Sequence, residues 1–273
     1  MGEVATAGGP DAGTAREAPI LVERREDGVV SLVLNRPRVK NAISYAMWEE
    51  LRAVFQQVTR SERDRVLIVS GAGGAFCTGA DLADPSLQGG HHLDAMRVVN
   101  DAALALWNVA KPTIAKVNGD AVGAGMNLAL GCDLIVAGES ARFSEIFARR
   151  ALSVDFGGTW LLPRLVGVHK AKELALFGEI LSARDAEAIG VVNHVVPDDE
   201  LDGFVDDWAT RLAAGPPIAL QQTKRMLSNA FAQSLPEALD AEAAAQAVNF
   251  ASEDTQEGMR AFLEKRAPVF RGR

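Results

Sequence analysis

The segment Leu152–Trp160, LSVDFGGTW, sets one carboxylate, Asp155, inside an apolar run. Burying a charge is costly unless it is paired or performs chemistry. Two uses fit. A desolvated carboxylate gains proton affinity and becomes a better general base. Alternatively, an aspartate before a glycine pair can accept backbone N–H groups in a turn or helix cap. Two glycine-rich segments bring backbone close to something, or form tight turns. In GAGGAFCTGADL (Gly71–Leu82), Phe76 stands where a dinucleotide fingerprint needs its third glycine, and the Lys-Ser/Thr pair of a P-loop is missing. In NGDAVGAGMNLALGCDL (Asn118–Leu134), glycines precede an apolar helical stretch. Their absent side chains either aim helix N-terminal N–H groups at an anion or polarised oxygen, or let helix and strand pack closely.

Other chemistries are poorly provided for. No G-x-S-x-G occurs, which weighs against an α/β-hydrolase. His91, His92, His169 and His194 have no metal-ligand spacing among themselves or with Cys77 and Cys132, so no metal is expected. The two cysteines, with no secretory signal ahead of them, read as free thiols of a reducing compartment, and a cytoplasmic location is expected.

The elements that must position these groups read as α/β. VVSLVLN (Val29–Asn35) is a strand ended by Arg-Pro, and VLIVSG (Val66–Gly71) is a continuous apolar run of the buried parallel kind. PTIAKVNG and DLIVAG repeat that pattern, with apolar helices between, which implies a parallel core with right-handed crossovers. SYAMWEELRAVFQQVTR opens on an N-cap, Ser44, and places Met47, Leu51, Val54, Phe55 and Val58 on one helical face. From Ser182 onward one helical segment follows another. SARDAEAIG has a Ser-x-x-Asp start and a Gly stop, Pro216-Pro217 opens a helix, and DTQEGMRAFLEKR begins at an Asp254 N-cap with Glu257 three residues on. The expected organisation is a lead-in over 1–18, an α/β core over 19–200 and a helical lobe over 201–273.

Composition narrows the partners. Among 273 residues, 28 Lys and Arg against 36 Asp and Glu give a formal charge of −8, which disfavours a general nucleic-acid binder. The longest apolar runs fall well short of the ~20 residues that span a bilayer, so no membrane partner is expected.

Taken in order, LNRPRVKNAIS, VLIVSGAGGAFCTGADL, KPTIAKVNGDAVGAGMNLALGCDLIVA and LPRLVG, with the tail EGMRAFLEKRAPVF, resemble the crotonase superfamily, the enoyl-CoA hydratase/isomerase family. The resemblance implies a spiral of ββα units, a C-terminal helical trimerisation lobe, a homotrimer or dimer of trimers, and an acyl-CoA substrate. No cofactor is implied beyond the coenzyme A of that substrate. The family's oxyanion hole of two backbone N–H groups falls by motif position on Ala80 and Ala124. Their neighbours Gly79, Asp81, Leu82 and Gly123, with Asn127, Phe147 and Gly158, are then expected to line the substrate pocket, although Asp81 and Cys77 also read as structural. RVKNAIS matches the region along the CoA moiety, with Ala42 near it and Lys40 and Arg38 within reach of phosphates. Lys265 or Arg266 could serve likewise across a subunit contact. His91 and His92 fall in the family's variable loop over the acyl pocket.

Resemblance leaves the reaction open. Family hydratases use two glutamates to hold a water, and those positions are Asn127 and Phe147 here. Glu145 lies two residues before the second, and two residues of α-helix turn about 200°, which points Glu145 away from the site. Asp155 stands where the enoyl-CoA and ring-epoxide isomerases of phenylacetate breakdown carry a proton-shuttling aspartate, and where a dehalogenase branch carries a nucleophile. The expectation is an isomerase with Asp155 as acid and base. The alternatives are an unusual hydratase using Glu145, a thioester hydrolase or dehalogenase, and a non-catalytic acyl-CoA binder.

Overall fold

The structure, a computed structural model, describes residues 18–88 and 91–273. The expected lead-in lies, except for Ala18, outside the described residues.

Strands β1 (Ile20–Arg24), β2 (Val29–Leu34), β3 (Val66–Gly71), β4 (Ala75–Cys77), β5 (Thr113–Val117), β6 (Asp120–Val122), β7 (Leu134–Gly138), β8 (Arg142–Ser144), β9 (Leu181–Ser182) and β10 (His194–Val196) form two sheets. The larger runs β1-β2-β3-β5-β7-β10 and the smaller β4-β6-β8-β9. Only the edge pairs β1/β2 and β8/β9 are antiparallel. From β3 to β8 consecutive strands alternate between sheets. Thus β3, β5 and β7 lie in the larger one, while β4, β6 and β8 follow each of them into the smaller. This is the ββα spiral that the resemblance implied.

The helices are α1 (Tyr45–Arg60), α2 (His92–Trp107), α3 (Ala124–Leu130), α4 (Gly158–Phe177), α5 (Ala183–Ala188), α6 (Leu201–Ala213), α7 (Pro217–Ser228), α8 (Leu235–Phe250) and α9 (Glu253–Glu264). The predicted apolar face of α1 is its buried face: Met47, Leu51, Val54, Phe55 and Val58 all enter the main core, and Trp48 joins them. Ser44 occupies the N-cap position, though its hydroxyl makes no capping bond. Every residue of β3 is buried, as its uninterrupted apolar run requires. One face of the larger sheet packs against the main core, and the other meets Leu201, Val205, Ala209 and Ala213 of α6.

Two readings of the last third are corrected. The helices after Ser182 are interrupted by β10, which pairs with β7 at the edge of the larger sheet. Three residues are too few to show strand periodicity against flanking helices. The N-cap of α9 is Ser252, whose hydroxyl accepts the Thr255 N–H. Asp254 is buried inside the first turn, where it accepts the N–H groups of Arg271 and Gly272 and ties down the C-terminus. Elsewhere the expected signals hold: Ser182 caps α5, and Pro217 opens α7. Among the described residues, no helix is long and apolar enough to cross a membrane.

Candidate active site

The site residues leave the C-terminal ends of three adjacent parallel strands: β4 leads to Gly79 and Ala80, β6 to Gly123 and Ala124, and β8 to Glu145. Carboxyl ends of parallel strands are where ligands dock in α/β folds.

The first amide is freed by local pairing. Ile43 makes an isolated parallel bridge to Ala80, donating its N–H to the Gly79 carbonyl and accepting from Asp81 N–H, each at 2.8 Å. The partner bonds therefore flank Ala80, and its own N–H points off the opposite edge. The second amide is freed by helix geometry. Ala124 is the first residue of α3, where an N–H has no intrahelical acceptor and lies at the positive end of the helix dipole. Among the described residues neither amide donates to a protein acceptor. The two motifs touch at Gly79, the residue before Ala80, which has φ +86°: a Cβ built there would lie 3.2 Å from the Ala124 nitrogen and 3.1 Å from the Val122 carbonyl oxygen. A side chain at 79 would push into the gap between the motifs.

In the second glycine segment close packing stands beside an open helix N-terminal amide. Ala124 presents a free N–H, and Gly125 packs α3 so tightly on β4 that a Cβ would sit 2.1 Å from the Cys77 carbonyl oxygen. Cys77 itself is buried, its thiol pushed up to about 12 by burial, and its sulfur accepts the Gly79 N–H. It is structural.

Asp155 follows a short 3-10 turn, Ile146–Arg150, and precedes α4. Its main chain forms the turn: the carbonyl accepts Gly158 N–H at 3.0 Å and the Asn127 side-chain amide at 3.0 Å. The carboxyl does not cap the helix. The N-cap is Gly157, and Oδ1 of Asp155 is buried without a partner. Burial raises its pKa to about 6. Asn127 sits three residues into α3 from Ala124, about 4.5 Å along the axis, so its bond to Asp155 places that loop one helical step from the free amide.

Glu145 is the residue that the sequence reading misplaced. The backbone there is not α-helical; Glu145 precedes the 3-10 turn, so the expected 200° rotation does not apply. Its side chain is buried, accepts the Asn127 amide at 3.4 Å through Oε2, and leaves Oε1 without a partner. Burial pushes its pKa up to about 8; the Asn127 bond opposes this and the nearby Asp155 charge adds to it. Phe147 remains at the site as well, its Cζ 3.6 Å from where a Cβ of Gly123 would stand. Gly158 makes room for Asn127, since a Cβ there would fall 2.4 Å from both amide atoms.

The remaining candidates lie around the rim. Ala42 is buried, and Lys40 is mostly exposed with its ammonium 2.9 Å from Asp120, which also holds Arg142. Arg38 is exposed. Asp81 pairs with Arg36 at 2.8 Å and accepts Ala83 N–H, which is the structural role, while Leu82 is exposed. Arg266 is held by Glu257 and Glu264, so its charge is already neutralised within the chain; Lys265 is exposed. His91 caps α2 through Nδ1, and His92 is exposed. Sequence reasoning missed Asn41. Fully buried at φ +57°, it accepts Arg36 N–H and donates to the Ala72 and Ala75 carbonyls, fixing the loop that carries Lys40 and Ala42.

Comparison with known proteins agrees with this architecture. The sequence profile of the family described as enoyl-CoA hydratase/isomerase matches residues 24–273. A Rhodobacter capsulatus protein named a probable enoyl-CoA hydratase is 39% identical over 90% of this chain and 96% of its own. The 1,2-epoxyphenylacetyl-CoA isomerase of Escherichia coli is likewise 39% identical, over 91% of this chain and 97% of its own. The crystal structure of enoyl-CoA hydratase from Bacillus anthracis superimposes with a TM-score of 0.89 at 35% identity, covering 94% of this chain and 100% of that one. The chain belongs to the crotonase superfamily, in the enoyl-CoA hydratase/isomerase family.

Proposed function

We propose that this enzyme moves a double bond in an enoyl-CoA thioester, with Asp155 as acid and base and the Ala80 and Ala124 amides as the oxyanion hole. The observation that carries the reading is the unpartnered, buried Asp155 carboxyl oxygen beside α3, combined with Asn127 and Phe147 at the positions where family hydratases carry glutamates.

In a β,γ-unsaturated thioester the Cα–H bond is acidified by the carbonyl. Asp155 takes that proton, the bond's electrons form a double bond between Cα and the carbonyl carbon, and the C=O pair moves onto the thioester oxygen, giving a dienolate conjugated with the β,γ double bond. Two preorganised N–H groups stabilise that charge, and losing one such donor costs about 3–4 kcal/mol of barrier. Asp155 then returns the proton at the γ-carbon, which leaves the double bond between Cα and Cβ. One group serves both carbons because they lie close together on one face of the acyl chain, and no water is consumed. In this reading Lys40, released from Asp120, and Arg38 meet the CoA phosphates, and no further cofactor enters.

A second reading has one observation in its favour. Glu145 and Asp155 are two carboxyls near one buried amide, an arrangement that can hold and split a water, as hydration requires. Assays on paired trans-3-enoyl-CoA and trans-2-enoyl-CoA substrates decide. Isomerisation that falls by ~10²–10⁴ in Asp155→Asn supports the first reading. Hydration lost in Glu145→Gln but kept in Asp155→Asn supports the second.

The assembly proposed is a homotrimer or a dimer of trimers. The outer helices support it: Leu227, Phe231, Leu235, Phe250, Phe262 and Leu263 stand exposed around α7, α8 and α9, a concentration of large apolar side chains that marks an interface.

A further inference from the structure

Hydrogen-bond capacity around Asn127 does not balance. Asn127 and Glu145 are 0% and 1% exposed. The Asn127 amide hydrogens go to the Asp155 carbonyl oxygen at 3.0 Å and to Glu145 Oε2 at 3.4 Å. A carbonyl can only accept, so the NH2 end must face it, and the amide orientation is fixed. That leaves Asn127 Oδ1, Glu145 Oε1 and Asp155 Oδ1, three buried acceptors without a protein donor among the described residues. Buried polar atoms are nearly always hydrogen-bonded. If both carboxyls were ionised, this cluster would contain only acceptors beyond the one amide, and two anions would face each other out of water.

A proton on one carboxyl turns an acceptor into a donor and removes the repulsion. Glu145 is the deeper of the two. Among the described residues no cation pairs with it. Helix α3 carries no ionisable side chain, Arg149 and Arg150 of its own turn are exposed, and Arg142 of β8 is held by Asp120. Arg164, Lys172 and Glu179, on α4 and just after it, are exposed, and Lys170 pairs with Glu173. Among the described residues the charge that acts on it is that of Asp155, of the same sign.

We propose that Glu145 is a positioning residue of this site: its carboxylic O–H supplies the donor that orders the Asn127–Asp155 cluster and leaves Asp155 as the single carboxylate facing the substrate. The inference rests on the reading of Asp155 as the acid and base. It assigns Glu145 no contact with the reacting carbons. It also gives the site an upper pH limit. Once Glu145 ionises, a second negative charge stands beside the forming dienolate, the O–H donor is lost, and turnover falls. The direction agrees with burial, which holds Glu145 protonated up to about 8 and Asp155 up to about 6.

Two measurements test it. For kcat/KM of the double-bond shift, wild type is expected to rise through about pH 6 and fall through about pH 8. Glu145→Gln, a permanent neutral donor, is expected to keep the rise and lose the fall, exceeding wild type about tenfold at pH 9. A merely structural role would lower Glu145→Gln at every pH and leave the falling limb in place, which would overturn the proposal. Infrared spectroscopy of the free enzyme is independent of turnover. A protonated-carboxyl C=O band is expected at pH 7, titrating away near pH 8, absent from Glu145→Gln and present in Asp155→Asn. Absence of that band from wild type, or its survival in Glu145→Gln, overturns the proposal. Isomerase activity retained by Asp155→Asn would instead refute the reading of Asp155, whatever the infrared result.

Discussion

Glu145→Gln should change how stability depends on pH, and the size of the effect follows from the burial of that carboxyl. In the unfolded chain the glutamate titrates near its ordinary value of 4.5; in the fold it holds its proton to about 8. Between those values the unfolded state has released a proton that the folded state keeps. Stability contributed by this group is therefore complete below pH 4.5 and is lost as pH rises towards 8. From pH 5 to pH 8 the loss spans about three units, or on the order of 4 kcal/mol. Glutamine fills the same space, still accepts from Asn127 and has nothing to ionise. Urea unfolding of both proteins at pH 5 and pH 8, at one fixed subunit concentration, gives the comparison. Wild type should lose on the order of 4 kcal/mol more than the variant over that interval. Asp155, whose raised pKa acts in the same direction, is common to both proteins and drops out of the difference. Parallel losses, within about 1 kcal/mol of each other, would refute the claim that Glu145 is protonated in the fold.

Ala124→Pro deletes one oxyanion N–H at a first-helical position, where proline is tolerated; kcat is expected to fall ~10²–10³ while circular dichroism stays native, and Ala124→Gly, which keeps the N–H, should retain kcat within about tenfold. Gly79→Ala forces a Cβ at φ +86° to within 3.2 Å of the Ala124 nitrogen, so thermal stability should drop by about 1–2 kcal/mol and kcat should fall with it. Asn41→Ala removes three hydrogen bonds from a fully buried side chain; chemical denaturation should register a loss of about 3 kcal/mol, and KM for acyl-CoA should rise as the Lys40 loop loosens. Phe262→Asp on the exposed face of α9 should convert the proposed trimer to a smaller species in sedimentation, and an unchanged sedimentation coefficient would count against that face as an interface.

The elements that could be read from sequence were those whose periodicity had one interpretation. Helix α1 was legible because five apolar residues share a face, and β3 because six consecutive buried residues leave no polar side to hide. The glycine motifs alone left turns and close packing open beside main-chain donors, and their reading as oxyanion donors came from the family resemblance. Asp155 stood out as a candidate, but its two uses were not separable: the structure assigns the turn to its carbonyl and leaves Oδ1 of its carboxyl without a partner among the described residues. Glu145 was misread because the rotation between positions 145 and 147 depends on backbone type, and a 3-10 turn and an α-helix look alike over five residues. Asn41 was invisible for a related reason. A lone asparagine in a polar loop carries no sign that three main-chain partners, two of them more than thirty residues away in sequence, will close around it.

Because Ala80, Ala124 and Glu145 follow neighbouring strands of the smaller sheet, their lateral separation is set by the ~4.8 Å pitch between paired strands, not by any side chain. Walls built from the intervening segments can then be exchanged, lengthened or recharged over evolutionary time without retuning the distance between donors. Such a scaffold admits new acyl groups and new proton carriers one wall at a time.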